Sequence, residues 1–469
     1  MTQRLLTKYG IRGEAARNAA RKAIHSARQA GWTTKKIQKT LRQTVQKPQS
    51  RLRDPIFSPL AQLLAGSAAP ASGKVQRTPD KESISFAQWG TDIDPAAIRQ
   101  MHDACSLPVA VKGALMPDAH VGYGLPIGGV LATDDVVIPY AVGVDIACRM
   151  KLSVFDMPVS LLDDTKDTRL KEAVEQETRF GIGANFKKRR SHKVMDEDWS
   201  VSPVTKKMKD TAWSQLGTSG SGNHFVEFGT IDVYDEAFGV EPGCYLALLS
   251  HSGSRGTGAE VCKYYSARAQ SSCKELPREL MRLSWLDLKQ TEGRDYWKAM
   301  ELMGRYSAAN HELIHRHIAE RLGAQLLFEV ENHHNFAWRE VHDGRRVVVH
   351  RKGATPARKG QAGIIPGSMA SPAYVVHGLG NEDSLCSASH GAGRNVSRTR
   401  AKKMFSWHQL NELLEKNRVT LLSAGLDESP MAYKNIEEVM AAQGDLAEIK
   451  ARFFPRLVKM APAGERPED

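Results

Sequence analysis

The stretch Ser387-Ala388-Ser389-His390-Gly391-Ala392-Gly393-Arg394 sets one histidine among small residues and glycines. Glycines let a backbone approach a phosphate and offer it N–H groups. A neutral, correctly turned imidazole is a nucleophile toward phosphorus. Taken alone, the same residues read as a tight turn carrying a surface histidine. In Gly143-Val144-Asp145-Ile146-Ala147-Cys148, a carboxylate and a thiol stand three residues apart on a glycine-led turn. Alone, Cys148 reads as a small buried hydrophobe.

Further stretches keep them company. They are Met116-Pro117-Asp118-Ala119-His120, Gly222-Asn223-His224-Phe225, Ser250-His251-Ser252-Gly253-Ser254-Arg255, Asn332-His333-His334-Asn335 and Ile364-Ile365-Pro366-Gly367-Ser368-Met369. In this order along the chain, they resemble the RtcB family of RNA ligases from about Phe86 to Lys459. The oxygen of Asp145, the sulfur of Cys148 and the imidazoles of His224, His251 and His334 make a donor set for one divalent metal ion or for a pair bridged by the thiolate. Such donors suit zinc or cobalt equally, and the resemblance implies manganese, two ions.

The resemblance also implies GTP as co-substrate, with His390 becoming covalently guanylylated. It implies a nucleotide site of Asn223, His224, Phe225, Val226, Glu227, His334, Asn335, Pro366, Gly367, Ser368, Met369, His390, Gly391, Ala392, Gly393 and Lys434. Glu227 would face guanine, whose N1 and N2 hydrogens a carboxylate can accept, and adenine would leave it unpaired. Arg255, Arg351, Lys352 and Arg394 are candidate contacts for RNA phosphates. The implied partner is RNA with a 3′-phosphate or 2′,3′-cyclic phosphate end and a 5′-hydroxyl end, with an archease-like activator beside it. The implied setting is RNA splicing or repair, and the cysteines, without CxxC pairing, fit reduced thiols in the cytoplasm. Asp118 and His120 match a family stretch without an assigned step. Ala373, where the family usually has a serine, and Arg149, where it has a small residue, mark divergence. A non-catalytic RNA-binding paralogue and a metal-dependent phosphohydrolase are the alternative readings.

One pattern competes. His311-Glu312-Leu313-Ile314-His315 fits the H-E-x-x-H of zinc proteases, with Glu329 or Glu331 as a third ligand. It leaves the other stretches unused, and the expectation is an ordinary, partly exposed amphipathic helix. The glycines between Gly122 and Gly129 match neither the dinucleotide fingerprint nor the P-loop.

The elements that must hold these residues are legible in outline. Asp94-Pro95 predicts a helix start. Val109–Met116, Met150–Phe155 and Cys244–Leu249 predict strands, and Ala259–Gln270 and Asp295–Leu322 predict helices. Strands and helices mix without strict alternation, so the expected fold is α+β. It should be one large catalytic domain over 84–469, with mixed sheets and surrounding helices. The chain has 469 residues and a formal net charge of +12, which favours a polyanionic partner. From Arg4 to Arg53, fourteen Lys and Arg stand with Glu14 as the only acid. Residues 1–50 read as a basic extension, helical or disordered, and 51–83, with Pro55, Pro59 and Pro70, as a flexible linker. The basic start also fits an organellar import segment. The cysteines show no CxxC pairing, and no apolar run approaches the ~20 residues of a membrane span.

Overall fold

Strand parity organises the catalytic half of this chain. In the strand Arg149–Phe155, Met150, Leu152 and Val154 point to one apolar layer. Lys151 and Ser153 point to the other face, where Ser153 Oγ lies 2.8 Å from His315 Nδ1. That second face is covered by the helix Thr291–Leu322. The neighbouring strand Gly243–Ser252 repeats the pattern, with Ala247 and Leu249 on the first face and Leu246, Leu248 and Ser250 on the second. Successive strand side chains alternate between faces, so a one-residue shift would exchange the two sets.

The computed structural model describes residues 11, 14–46, 51, 54–66, 83–163 and 168–465, in two units divided between Lys81 and Glu82. The larger unit is α+β, with mixed sheets and surrounding helices. An eight-stranded sheet contains Arg149–Phe155, Phe225–Val233, Gly243–Ser252, Leu326–His333 and the long Ala447–Met460. A five-stranded sheet contains Ala110–His120, Ile127–Thr133, Asn335–His342 and Arg345–Lys352. Ser387–Ser389 pairs with Ala354–Pro356. The predicted helix start appears as Pro95–Cys105, with the Asp94 side chain accepting from Ala96 N at 2.7 Å. A helical core of Trp199, Tyr265, Tyr296 and Tyr306 packs beside the sheets.

The smaller unit departs from expectation. Helices Glu14–Gln29 and Thr34–Gln46 bury Ala20, Ala23, Ile24, Ala27, Ile37 and Leu41 together with Phe57 and Leu60. The extension therefore has its own apolar core, because the few apolar residues recur at helical spacing. The expected linker 51–83 is corrected at its start. Asp54 Oδ1 accepts from Ile56 N and Phe57 N at 3.0 and 2.9 Å, and a helix follows at Ser58–Gly66. Its remaining part, 67–82, lies outside the described residues. No helix among the described residues is long and apolar enough to cross a membrane.

Candidate active site

Register brings the expected metal ligands to one sheet edge. Arg149 pairs with Ser252 on one side and His333 on the other, and Phe225 pairs with His251. Cys148, His224, His251 and His334 thus lie at neighbouring strand ends. Parity decides between adjacent histidines. His334 turns inward, whereas the ring of His333 packs on Phe336 and Trp338 at 5.0 Å each.

Cys148 Sγ lies 3.1 Å from His251 Nε2 and 3.4 Å from His224 Nε2. His251 Nε2 lies 3.2 Å from His334 Nε2, and Asp145 Oδ2 lies 3.2 Å from His224 Nε2. All five side chains are buried. His251 Nδ1 sits 3.0 Å from the Asn223 carbonyl, so its N–H donates there and Nε2 keeps the free lone pair. Burial drives the His251 pKa down to about 3 and that of His334 well below the usual range. Burial alone would push Asp145 up, but the hydrogen bond and charge of His224 outweigh it and hold the carboxyl low. The result is neutral imidazoles at His251 and His334 beside an ionised carboxylate, the protonation states that metal ligands need.

A buried cation fits this donor set. Asp145 Oδ1 accepts from Ser254 N at 2.9 Å, while the buried Oδ2 faces His224 Nε2 at 3.2 Å. A Cβ on Gly253 would lie 1.9 Å from that Oδ2, so only glycine lets the carboxylate sit there.

His390 follows the strand Ser387–Ser389, and its ring centre lies 5.0 Å from that of His334. Its Nδ1 is 2.6 Å from Asp118 Oδ2, and its backbone N donates to the same oxygen at 3.3 Å. Asp118 is fully buried, so an N–H on Nδ1 is fixed and Nε2 is left as the basic nitrogen. Gly393, at φ 71°, lies so close to Asp118 that a Cβ would meet its carbonyl oxygen at 2.0 Å. The sequence reading gave Asp118 no role. A carboxylate in a stretch otherwise apolar was the available signal. Burial also pulls the pKa of the nearby His120 down to about 4.

A cavity of about 710 Å³ joins these groups. Asn223, Phe225, Glu227, Asn335, the segment Pro366–Met369 and the turn His390–Gly393 line it. Burial pushes the Glu227 carboxyl well above the usual carboxylate range. The Asn335 amide ties the ligand turn to the next loop. It donates to Asp145 O at 3.2 Å and accepts from Gly353 N at 2.8 Å.

Other expected residues stand elsewhere. Val226 faces the helix layer with Ile314 and Ile318, opposite to Phe225 and Glu227 on the same strand. Lys434 is outside the cavity lining, with Nζ on the carbonyls of Asp92 and Pro117. Arg351 is fully buried, donating to Glu340 at 2.9 and 3.0 Å and to Ser387 Oγ at 2.8 Å. Arg255 is buried against Thr218 Oγ1 and Gly181 O, at 3.1 and 2.8 Å. Both are internal braces here, since a guanidinium so engaged cannot also meet an incoming phosphate. Arg394 lines the cavity but is held by Glu428, Tyr433 and Asp427 O. Lys352 lines it too, with Nζ on Tyr123 O at 2.5 Å, and burial draws its pKa down to about 7. Ala373 lies in the apolar sheet layer, and Arg149 is buried against Glu331 and Gly304 O.

The protease pattern dissolves, and the helix is less exposed there than expected. Ser250 Oγ lies 2.7 Å from His311 Nδ1 and 2.8 Å from His315 Nε2, and His311 Nε2 lies 3.2 Å from Ser252 O. Both histidines serve the helix–sheet interface, and Glu312 pairs outside it with His192. Glu329 and Glu331 pair with Lys151.

The family model described as tRNA-splicing ligase RtcB matches residues 100–205 and 197–460. An RNA-splicing ligase RtcB of Escherichia coli is 34% identical over 407 residues, covering 78% of this chain and 95% of that protein. A tRNA-splicing ligase RtcB of Methanococcus maripaludis is 33% identical over 415 residues, covering 72% and 86%. An RNA-splicing ligase RtcB homolog of Entamoeba histolytica is 30% identical over 426 residues, covering 74% and 79%.

Proposed function

This chain belongs to the RtcB family of RNA-splicing ligases, and from that premise we propose that it joins RNA ends using GTP through a guanylylated His390. The observation that carries the reading is the convergence of His390, its Asp118 partner and the five-residue donor set on one cavity. Asp145, Cys148, His224, His251 and His334 would hold the divalent cations, manganese by family. Bound there, the metal supplies charge neutralisation for a triphosphate and its departing pyrophosphate.

The protein's own groups do the rest. Asp118 keeps the proton on His390 Nδ1, so Nε2 attacks the α-phosphorus of GTP and pyrophosphate leaves. His390 then passes GMP to an oxygen of the RNA 3′-phosphate, breaking the N–P bond. A 2′,3′-cyclic end would first be opened by water to that 3′-phosphate. The 5′-hydroxyl of the other RNA end attacks the activated phosphorus, GMP leaves, and a phosphodiester remains. Glu227 accepts from guanine, and the glycines around His390 admit the phosphates closely. Of the four candidate phosphate contacts, Lys352 and Arg394 line the cavity and would meet an RNA phosphate there. A cytoplasmic setting, where thiols stay reduced, fits the chain's six free cysteines.

Incubation with α-labelled GTP and Mn²⁺, followed by denaturing electrophoresis, tests the reading. The expected product is labelled protein, labile to acid and stable to alkali, absent with ATP and absent in His390→Ala. That variant should still join RNA whose 3′-end already carries GMP. An unlabelled wild-type protein, or a labelled His390→Ala, would overturn it.

A further inference from the structure

Residues 1–54 hold fourteen Lys and Arg against Glu14 and Asp54, a formal +12 that equals the net charge of the whole chain. The remaining residues balance at zero. The basic run Lys187–Arg190 of the catalytic unit is partly cancelled, with Arg189 paired to Asp210 at 2.7 Å and the buried Arg190 to Glu177 at 2.8 Å. The N-terminal unit is built the other way. Its core fixes one face of each helix inward, and Arg21, Lys22, Arg28, Lys36 and Lys39 are all exposed on the outward faces. Of the two acids in residues 1–54, Asp54 is engaged by Arg51 at 3.0 Å. Trp32 is half-buried, stacked near Phe57 at 5.9 Å, with Lys36 Nζ 4.1 Å from its ring centre, so it is covered rather than offered to a base.

We infer that this helical unit is a docking surface for the RNA phosphodiester backbone, separate from the joining site. The inference rests on the reading of RNA as substrate. Exposed, closely spaced cations attract a polyanion and release its counterions, a term indifferent to sequence. The unit lies before the family match, which begins at residue 100. Backbone docking there would hold an RNA by features other than its ends, and the catalytic unit, whose charges nearly cancel, would meet only the termini.

The test uses the full chain carrying Arg21→Gln, Lys22→Gln, Lys36→Gln and Lys39→Gln together, with an RNA stem-loop ending in a 3′-phosphate as probe. Each lost phosphate contact removes about 0.9 from the slope of log K against log salt on duplex, or about 0.7 on single strands. The slope should flatten by about 3, with affinity at low salt falling at least ~10-fold. The thermal midpoint should hold, because all four side chains are exposed. Labelling by GTP should match wild type, which separates the two readings. Absence of labelling in wild type would overturn the ligase chemistry, while the binding measurements decide the docking surface. An unchanged slope and affinity would overturn the inference, as would a wild type that binds anionic phospholipid vesicles in preference to RNA.

Discussion

Asp118 Oδ2 sits 2.6 Å from His390 Nδ1, so the end of the strand Ala110–His120 orients the proposed nucleophile of a turn 272 residues further along. Asp118→Asn keeps the size but not the charge, and an amide can present its N–H and force the wrong imidazole tautomer. Guanylylation should slow by roughly 10²–10⁴-fold, by analogy with carboxylate-oriented histidines elsewhere. The initial rate of label incorporation measures this. A rate within twofold of wild type would remove Asp118 from the mechanism.

Cys148→Ala should abolish joining while the fold survives. Sγ lies within 3.4 Å of two imidazoles, and its removal takes away one donor but little packing. Metal content by mass spectrometry should fall together with activity, and the circular dichroism spectrum should not change. Full metal retention would show that the thiol is only a buried small residue.

Nucleotide affinity should depend on pH through Glu227. Burial raises its folded pKa, so below that pKa the empty site holds a neutral carboxyl. Guanine donors favour the ionised form, so GTP binding should expel a proton and strengthen as pH rises toward the raised pKa. Calorimetry in two buffers of different ionisation enthalpy reads the proton directly. Glu227→Gln should lose both the proton release and the preference for GTP over ATP. Proton uptake on binding would contradict this assignment.

Arg351→Ala should unfold the protein more easily rather than weaken RNA contact. The Arg351–Glu340 pair is almost wholly buried, and removing one partner of such a pair costs about 3–5 kcal/mol. Denaturant unfolding should show the loss, while the salt dependence of RNA binding should stay at the wild-type slope. A flattened slope with unchanged stability would restore Arg351 as a phosphate contact.

The pH dependence of stability should carry the signature of His342. Its hydrogen bond to Glu340, opposed by burial and helped by Glu382, raises its folded pKa above the usual value. Its contribution is therefore complete below the unfolded pKa and fades as pH rises through the folded one. The unfolding free energy of wild type should decline across that window, and His342→Gln should flatten the decline. An identical profile in both proteins would assign the slope to other groups.

The sequence by itself determined which residue types could do this chemistry. Asp145, Cys148, His224, His251, His334 and His390 were legible as candidates because each sits in a short local pattern of glycine, serine or asparagine. The α+β class and the helix start at Asp94 were legible for the same reason, since periodicity and capping are local. The tertiary structure decided the rest. Whether Val226 or Glu227 meets the cavity depends on strand parity against a helix about 90 residues away. Whether Arg351 is a ligand or a brace depends on Glu340 across a strand pair, and whether His311 is a metal ligand depends on Ser250 beneath it. The N-terminal core escaped notice because Phe57 and Leu60 stand among turn-forming prolines, and only folding shows that the helices before them close over both. Partnership across the chain is a property of packing, and a linear pattern does not contain it.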